Sequence, residues 1–460
     1  MSLRSSVARW VSVVSLPLAL PLSLSLSLST SGCAGHEGRV ETSLAALDRG
    51  QPAEAIAALD EELEVATETD MPALQGDAAL LLLDRGTIQL SRGKHKLSAR
   101  DLGVADKGID VLDLSRDTLD DVGKYLFSDD TGPYRAPGYE KLLINSLNLM
   151  NYLAMGDLEG ARVEARRLAV MQDFLKKKED ETALVGLGSL LAGFTFEKSG
   201  KNDEAIVYYD EALKYAQYRS LRDPLRTLTQ GASNRPSIQA LLGDSGPLPS
   251  VLETKECDVF IVVGYGRVPA KEARRIPIGL ALTLTAGYIS PGDAATANGL
   301  AARGLVTWIN YPVLGKSRGT YDEPDVSIGA RPVDMELAMD VESEVRKVWE
   351  KEEPTIIASA ITRMIARAVA GEAVNLGTRA AANSGVVGLL AGLAATATLT
   401  VLDTPDTRSW TTLPARVAMA RVRVPAGRQT VQMRVRGALR AVTIDAQPGG
   451  WSFVTATELR

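Results

Sequence analysis

Few residues of this chain have the types and spacing that catalysis requires. The sequence contains two histidines, His36 and His95, and two cysteines, Cys33 and Cys257. A Ser–His–Asp or Cys–His site needs a base that a third group orients, and no such set can be assembled around either histidine. Clusters of His, Cys or carboxylates at metal-ligand spacing do not stand out. We therefore predict no enzymatic activity, no metal and no cofactor.

A glycine turn is a candidate for phosphate binding. Gly264-Tyr265-Gly266 follows a predicted buried strand, as the glycines of a dinucleotide-binding loop do. Pro269 stands where that loop requires its third glycine, and no helix clearly begins there. Lys271, Arg274 and Arg275 are the cations that could meet an anion. We favour the simpler interpretation, which is a strand that leads into a surface loop.

Arginines mark the candidate binding surfaces. On a predicted helix, Arg162 and Arg166 lie one turn apart, and Arg167 lies three residues after Glu164. These arginines either line a basic groove or form salt bridges on a solvated helix face. We favour the salt bridges, because exposed helical ion pairs are common.

A second group of arginines lies near the C-terminus. Residues 407–444 contain eight arginines and no acidic residue, in a chain of net charge −6. Arg421 and Arg423 share one face of a predicted strand, and Arg434 and Arg436 share a face of another. They form either a positive surface for anionic lipid, polysaccharide or an acidic protein, or charges that protect edge strands from aggregation. The candidate partner-binding residues are thus Arg162, Arg166, Arg167, Lys271, Arg421, Arg423, Arg434 and Arg436.

The N-terminal residues predict where the protein works. Two arginines precede an uncharged run, Trp10 to Ser31, that is rich in Leu, Val and Ser. A basic start, an apolar run and small residues before a cleavage point are typical of a secretory signal peptide. Gly32 and Cys33 resemble the end of a bacterial lipobox, although Thr30 stands where leucine is usual. We expect residues 1–32 to be removed and Cys33 to be lipidated, and ordinary secretion is the alternative.

Three further expectations follow from this N-terminus and from the composition. In the lipoproteins that the motif resembles, a residue other than Asp after the cysteine implies the outer membrane, so Ala34 implies an anchored protein that faces the periplasm. With Cys33 acylated, Cys257 has no partner for an intrachain disulfide. The mild net acidity argues against nucleic-acid binding.

Helices are predicted throughout residues 39–217, where proline is scarce and good helix formers dominate. Repeated units that bury their faces against neighbours are typical of a solenoid. In each unit a glycine ends one helix, and an alanine lies five or six residues later, where two helices cross. These glycine and alanine pairs are Gly50 and Ala55, Gly93 and Ala99, Gly156 and Ala161, and Gly200 and Ala205.

The units resemble tetratricopeptide repeats, although their spacing is irregular. A plain helical bundle with glycine turns is the alternative. The fourth unit is the most similar, and its small and large packing positions hold Gly193, Phe196, Gly200, Ala205, Tyr209 and Ala212.

The hydrophobicity pattern of the sequence changes after a Gly-, Pro- and Ser-rich stretch at 231–256, which we predict to be a linker. Apolar runs at 258–266 and 304–314 predict buried strands, and a helical pattern over 335–375 is broken at Pro354. Alternation after Trp410 predicts a small antiparallel sheet. The uncharged stretch 380–402, with Gly388-x-x-x-Gly392, is long enough to cross a bilayer. For residues 380–402 we favour a helix buried in the fold over a membrane-spanning one.

The predicted fold class is therefore α+β and multidomain. A signal peptide occupies 1–32, an all-α TPR-like repeat domain 33–230, the linker 231–256, and a mixed α and β domain with a small antiparallel sheet 257–460.

Four stretches together resemble a poorly characterised family of bacterial lipoproteins with a TPR-like N-terminal half. They occur in this order: "PYRAPGYEKLLINSLNLMNYLAMGDLEGARVEARRL", "GYGRVPAKEARRIPI", "ITRMIARAVAG" and "DTRSWTTLPARVAMARVRVPAG". The resemblance implies an envelope protein that acts as a scaffold or assembly factor, and it brings no catalytic residues. The expected partners are the membrane, through a lipid on Cys33, and envelope proteins. The alternatives are a regulator of cell-wall synthesis or a binder of peptidoglycan or another anionic polymer, and lastly a carboxylate-based enzyme.

Overall fold

The structure, a computed structural model, describes residues 35–114, 134, 136–178, 185–231, 233–243, 255–304, 306–318, 322–381 and 404–460. All of these belong to one compact unit, Gly35–Arg460. The fold is mixed α+β, as predicted, with helices first and sheets later. The predicted signal peptide, Cys33 and the Gly388-x-x-x-Gly392 motif lie outside the described residues.

Eight helices form four consecutive pairs before the first strand of the described chain. A 3₁₀ turn, Arg219–Leu221, and two short helices follow them. The second short helix falls inside the stretch predicted to be a linker, and the predicted division of the chain into domains stays a prediction. The helices are α1 (His36–Asp48), α2 (Pro52–Glu62), α3 (Ala78–Ser91), α4 (His95–Leu114), α5 (Gly138–Ala154), α6 (Leu158–Lys178), α7 (Val185–Lys198), α8 (Asn202–Leu213), α9 (Arg222–Leu228) and α10 (Pro236–Leu242).

The four predicted glycine turns are confirmed. Gly50, Gly93, Gly156 and Gly200 have φ angles of 72°, 71°, 72° and 73°, a region that costs glycine little. Each glycine amide donates to the carbonyl three residues earlier, and the next amide donates to the carbonyl five residues before it. This shared hydrogen-bond pattern satisfies the last carbonyls of each first helix. The four alanines after the glycines are all buried at the helix crossings.

The strands form two larger sheets and one two-stranded sheet. The first sheet has the order β10-β1-β7-β6, and the outer sheet has the order β5-β4-β8-β9. β10 pairs parallel with β1, so the C-terminal strand does not join the small antiparallel sheet that the sequence predicts. The strands are β1 (Glu256–Tyr265), β2 (Lys271–Pro277), β3 (Trp308–Leu314), β4 (Asp325–Ile328), β5 (Arg331–Val333), β6 (Glu336–Asp340), β7 (Arg416–Pro425), β8 (Gly427–Val435), β9 (Ala438–Ala446) and β10 (Trp451–Glu458).

The first sheet is covered on both faces. Phe260 and Met419 pack into the core shared with the helices, whereas Val259 and Ala420 pack against the outer sheet. Because alternate residues of a strand point to opposite faces, a strand covered on both sides is apolar throughout. This explains the continuous apolar run of β1 that the sequence predicted to be a buried strand.

The inner face of the helix pairs is covered by the chain itself. All 14 residues of α3 are buried. The first helices α3 and α5 contact β10, and α7 contacts β6. The first sheet therefore occupies the face that the first helices of these pairs would offer to a partner.

A small subdomain contains β2 and β3 with α11 (Ile278–Leu284), α12 (Pro291–Ala302) and α13 (Val341–Ala381). The predicted break at Pro354 is wrong, since α13 continues through it. A proline inside a helix removes one backbone donor and crowds the carbonyl four residues earlier, at a cost of about 3 kcal/mol that packing must offset. Ile357 and Ile361 pack into the core of the subdomain and stabilise α13 beyond the proline.

We predict that Gly193→Ala destabilises the protein by roughly 1–3 kcal/mol. A Cβ on Gly193 of α7 would lie 2.7 Å from Cδ1 of Tyr209. The ring of Tyr209 has little freedom to move away, because its hydroxyl donates to Glu197. The matched control is Gly103→Ala in α4, where nothing lies within 4 Å of the new Cβ. The better helix propensity of alanine should stabilise this control by about 0.5–1 kcal/mol. Urea unfolding measures the free energy of unfolding of both variants. Equal changes in the two would contradict the packing argument.

Candidate functional site

Arg421 of β7 is the charged centre between the helices and the first sheet. Its side chain is 2% exposed. Nε donates to Asp258 Oδ1 on β1 at 3.0 Å, and Nη1 donates to Glu197 Oε2 on α7 at 2.9 Å. Nη1 also donates to the hydroxyl oxygen of Tyr209 on α8, at 3.1 Å. One guanidinium therefore links two helices and two strands.

Lys198 balances the charge of this group. Its Nζ lies 2.9 Å from Glu197 Oε1 and 2.5 Å from Asp258 Oδ2. Two cations thus face two carboxylates, and the Tyr209 hydroxyl donates to Glu197 Oε2 at 2.7 Å. We call these five residues, Arg421, Lys198, Glu197, Asp258 and Tyr209, the Arg421 cluster.

Both carboxylates of the Arg421 cluster stay ionised at neutral pH. Burial, the largest single effect, would raise the pKa of Glu197 and of Asp258, but the charges of Arg421 and Lys198 together with the hydrogen bonds from Arg421 outweigh it and hold both pKa values below their usual range. Arg421 was predicted to belong to an exposed partner-binding surface. This prediction is wrong, because its donors are used inside the fold.

An open cleft lies at the rim of the Arg421 cluster. It consists of two adjoining cavities of about 600 and 640 Å³. The first is lined by Lys198 and Asp258 of the cluster and by α9, and the second by β5 and the end of β7. We call it the polar cleft, defined by the residues that line both cavities: Arg219, Ser220, Arg331, Val422 and Arg423.

Three arginines of the polar cleft have guanidinium groups without a partner in the part of the chain that the structure describes. Arg219 lies in the 3₁₀ turn, Arg331 begins β5, and Arg423 lies on β7. Within the described ranges, none of the three side chains forms an ion pair or a side-chain hydrogen bond. Of these, sequence reasoning identified only Arg423. No sequence signal points to Arg219 or Arg331, since they come from distant turns that only the fold brings together.

Carboxylates line the same cleft. The carboxylate of Glu336 already accepts hydrogen bonds from the backbone amides of Arg219 and Ser220, at 2.5 and 2.8 Å. Glu256 and Asp334 also line its walls. The polar cleft therefore presents charges of both signs, and it is suited to binding a ligand that also carries both.

The arginines of α6 follow the interpretation that we favoured. Arg162 pairs with Glu159, and Arg167 pairs with Asp106 and, at 3.3 Å, with Glu164. Arg166 is exposed. Two of the three thus form salt bridges rather than a basic groove.

Arg434 and Arg436 lie on the exposed side of the outer sheet and in the turn after it. Arg434 stands opposite Asp325 of β4, so a carboxylate from outside the acid-free segment faces it. Arg436 has a φ of 47° at the turn into β9. β8 lies between β4 and β9, so protection of an edge strand does not explain its arginines.

The phosphate-loop interpretation fails on backbone geometry. β1 leads through Gly266 into β2, not into a helix, and the Gly266 amide donates to the carbonyl of Glu458. The simpler interpretation holds only in part: β1 does lead into a loop, but that loop does not lie at the surface, since residues 266–269 are buried. Lys271 lies with Nζ 5.8 Å from the ring centre of Trp349. It lines a cavity of about 20 Å³, which has room for one water and no ligand.

The segment before β7 forms a buried polar seam with the helices. Trp410 is 1% exposed, and its indole donates to Thr87 Oγ1 at 2.9 Å. Its backbone amide donates to Glu140 Oε1 at 3.1 Å, and the Thr412 amide donates to Asp84 Oδ1 at 2.9 Å. Burial raises the pKa of Glu140 to about 7, although hydrogen bonds from Tyr134 and from the Trp410 amide oppose the rise.

Comparisons of the chain with protein-family models, with curated proteins and with solved structures found no match. Among the described residues, no group of three or more His, Cys, Asp or Glu side chains could hold a metal ion. No helix in the described ranges has the length and apolar character needed to cross a membrane.

We predict that Arg421→Met destabilises the protein by about 3–5 kcal/mol, because it leaves two buried carboxylates with only Lys198 to balance them. The matched control is Arg434→Met on the exposed face of β8, which should change stability by at most about 0.5 kcal/mol. Urea unfolding at pH 7 measures both. A cost below about 1 kcal/mol for Arg421→Met would show that the cluster does not hold the layers together.

We also predict that Glu140→Gln changes how stability depends on pH. The native carboxyl titrates near pH 7 and the unfolded one near 4.5, so the native state binds more protons between these values. Wild-type stability should therefore fall as pH rises from 4.5 to 7, by on the order of 3 kcal/mol. Glutamine keeps an acceptor for Trp410 and cannot ionise, so the variant should lack this fall. Urea unfolding at several pH values tests it, with Glu54→Gln as the exposed control. Parallel profiles of wild type and Glu140→Gln would contradict the prediction.

Proposed function

We propose that this protein is a lipid-anchored component of the bacterial cell envelope that acts as an interaction scaffold from the periplasmic side of the outer membrane. The anchor is argued from the basic and apolar N-terminus and from the lipobox-like residues before Cys33. Binding rather than catalysis is proposed as its activity.

The helix pairs support a TPR-like description. Each turns at a glycine of positive φ and buries an alanine at the crossing. In the fourth pair, Gly193 leaves room for the Tyr209 ring, as small and large packing positions require. The partner, however, is proposed to bind at the polar cleft, because the chain's own first sheet covers the inner helical face.

The charges of the polar cleft carry this proposal. Arg219, Arg331 and Arg423 have side chains without partners among the described residues, and Glu256 and Asp334 lie along the same walls. A uniformly anionic polymer would meet repulsion from these carboxylates, whereas a protein segment with acidic and basic side chains can satisfy both signs. The lining therefore favours a protein partner.

Binding of peptidoglycan or another anionic polymer, as in a regulator of cell-wall synthesis, is the second candidate. Its support is the exposure of Arg434 and Arg436 at the outer sheet. Asp325 beside Arg434 weakens the local positive potential, so this candidate ranks below the scaffold.

Photo-crosslinking in intact envelopes tests the scaffold. We expect a benzophenone side chain at Gln429, which lines the polar cleft, to give a discrete protein adduct, and one at Thr443 on the exposed face of β9 to give none. Charge reversal at Arg331 and Arg423 should reduce the adduct by about tenfold, since it replaces attraction by repulsion at two contacts. Charge reversal at Arg434 and Arg436 is the matched control and should leave the yield of the adduct unchanged. An adduct that survives Arg331→Glu with Arg423→Glu would rule out the cleft as the partner site.

Pelleting with purified peptidoglycan tests the second candidate with the same variants. Polymer binding at the outer sheet predicts that wild type pellets and that Arg434→Glu with Arg436→Glu weakens pelleting. No pelleting of wild type would remove this candidate.

A further inference from the structure

The small subdomain exposes a group of large apolar side chains. Leu280, Leu284 and Tyr288 follow each other at four-residue intervals along and just beyond α11, and they are 48%, 46% and 59% exposed. Trp308, at the start of β3, is 46% exposed. Ile278 and other residues on the opposite side of α11 are buried, so the helix already has a core to pack on. The four exposed side chains therefore lie on a face that the described residues leave uncovered.

These side chains lie at one end of the subdomain. Trp308 stands opposite Pro277, the residue after which α11 begins, and the Ile278 amide donates to the carbonyl of Thr307 at 3.1 Å. We call the surface formed by Leu280, Leu284, Tyr288 and Trp308 the apolar face.

Positive charge borders the apolar face. Residues 271–314 contain four basic and two acidic side chains, whereas the whole chain has a net charge of −6. Arg274 and Arg275 are exposed on β2, which leads directly into α11. Leucine, tyrosine and tryptophan next to arginine are the residues that occupy the boundary between lipid tails and anionic headgroups.

The start of the described chain contacts the same strand. Glu37 accepts the Ala273 amide of β2 at 3.0 Å, and the Glu37 amide lies 3.4 Å from Thr407 Oγ1. The described chain, Gly35 onward, therefore begins beside β2.

We propose that the apolar face docks on the bilayer to which the N-terminal lipid is anchored. Leu280, Leu284, Tyr288 and Trp308 enter the headgroup boundary, and Arg275, which lies on the same side of the sheet as Trp308, meets lipid phosphates. The inference rests on the proposed lipid anchor, which makes docking an intramolecular step at high effective concentration. Transfer of apolar surface from water into the boundary supplies the free energy.

A second exposed apolar stripe gives a matched control. Val163, Val170 and Phe174 lie on α6 and are 52%, 72% and 44% exposed. The contacts of Glu37 place the start of the described chain at β2, and α6 is not part of the small subdomain. We therefore expect this stripe to stay in water.

Tryptophan quenching tests the docking in the full-length, acylated chain. The protein, with a mass that confirms acylated Cys33, is reconstituted on vesicles of phosphatidylcholine and phosphatidylglycerol whose acyl chains carry bromine. Trp349 and Trp410 are buried, and Trp308 is exposed. We expect quenching that is lost in Trp308→Phe, reduced in Leu280→Asp with Leu284→Asp, and unchanged in Val163→Asp with Val170→Asp. Arg275→Glu should reduce the quenching on vesicles that contain phosphatidylglycerol.

The outcomes separate the anchor from the docking. Chain that floats with the vesicles and shows no quenching overturns the docking and leaves the anchor standing. A mass that shows no acyl chain on Cys33 overturns the proposed anchor, and the docking with it. Quenching that persists in Trp308→Phe, with native circular dichroism, shows that another surface meets the lipid and overturns the apolar face.

Discussion

The Arg421 cluster is the interaction on which the layered structure depends. Arg421 and Lys198 hold two carboxylates from α7 and β1 in a buried site, and Tyr209 fixes the geometry from α8. Taking these charges out of water costs several kcal/mol for each ion, and only near-complete pairing offsets that cost. One placement of the helices on the first sheet satisfies all the partners together, so the cluster favours that register over displaced ones.

This placement decides which surfaces remain for partners. Once α3, α5 and α7 lie on the first sheet, the helix pairs no longer offer an open inner face. The remaining candidate binding surfaces lie at the edges of the packed layers. The polar cleft forms where the 3₁₀ turn meets β5 and β7, and the apolar face forms where α11 leaves β2. The polar cleft has charges of both signs and suits a protein partner. The apolar face has aromatic, leucine and arginine side chains and suits a bilayer.

The arginine-rich C-terminal segment shows why local charge counting was misleading. The segment itself contains no acid, and only Asp406, directly before it, pairs locally, at 2.7 Å from Arg408; the fold supplies the other acids from elsewhere. Glu197 and Asp258 meet Arg421, Asp340 lies 3.5 Å from Arg416, and Asp77 lies 3.3 Å from Arg408. Carboxylates between 76 residues away, for Asp340 and Arg416, and 331 residues away, for Asp77 and Arg408, become neighbours at a few ångströms. A run of one charge in the sequence therefore predicts a charged surface only where no other layer covers it.

Local patterns in the sequence determined the helix pairs, their glycine turns and the buried strand β1, because each depends on neighbours within one or two turns. Glycine at positive φ and a continuous apolar run are local requirements that any tertiary context must meet. Only the tertiary structure decided that β10 runs parallel to β1, that Arg421 is interior, and that Arg219 and Arg331 join Arg423 in one cleft. These three features depend on contacts between segments that are distant in the sequence. The free energy of such contacts comes from the desolvation and pairing of charged groups, which a short stretch of sequence does not reveal.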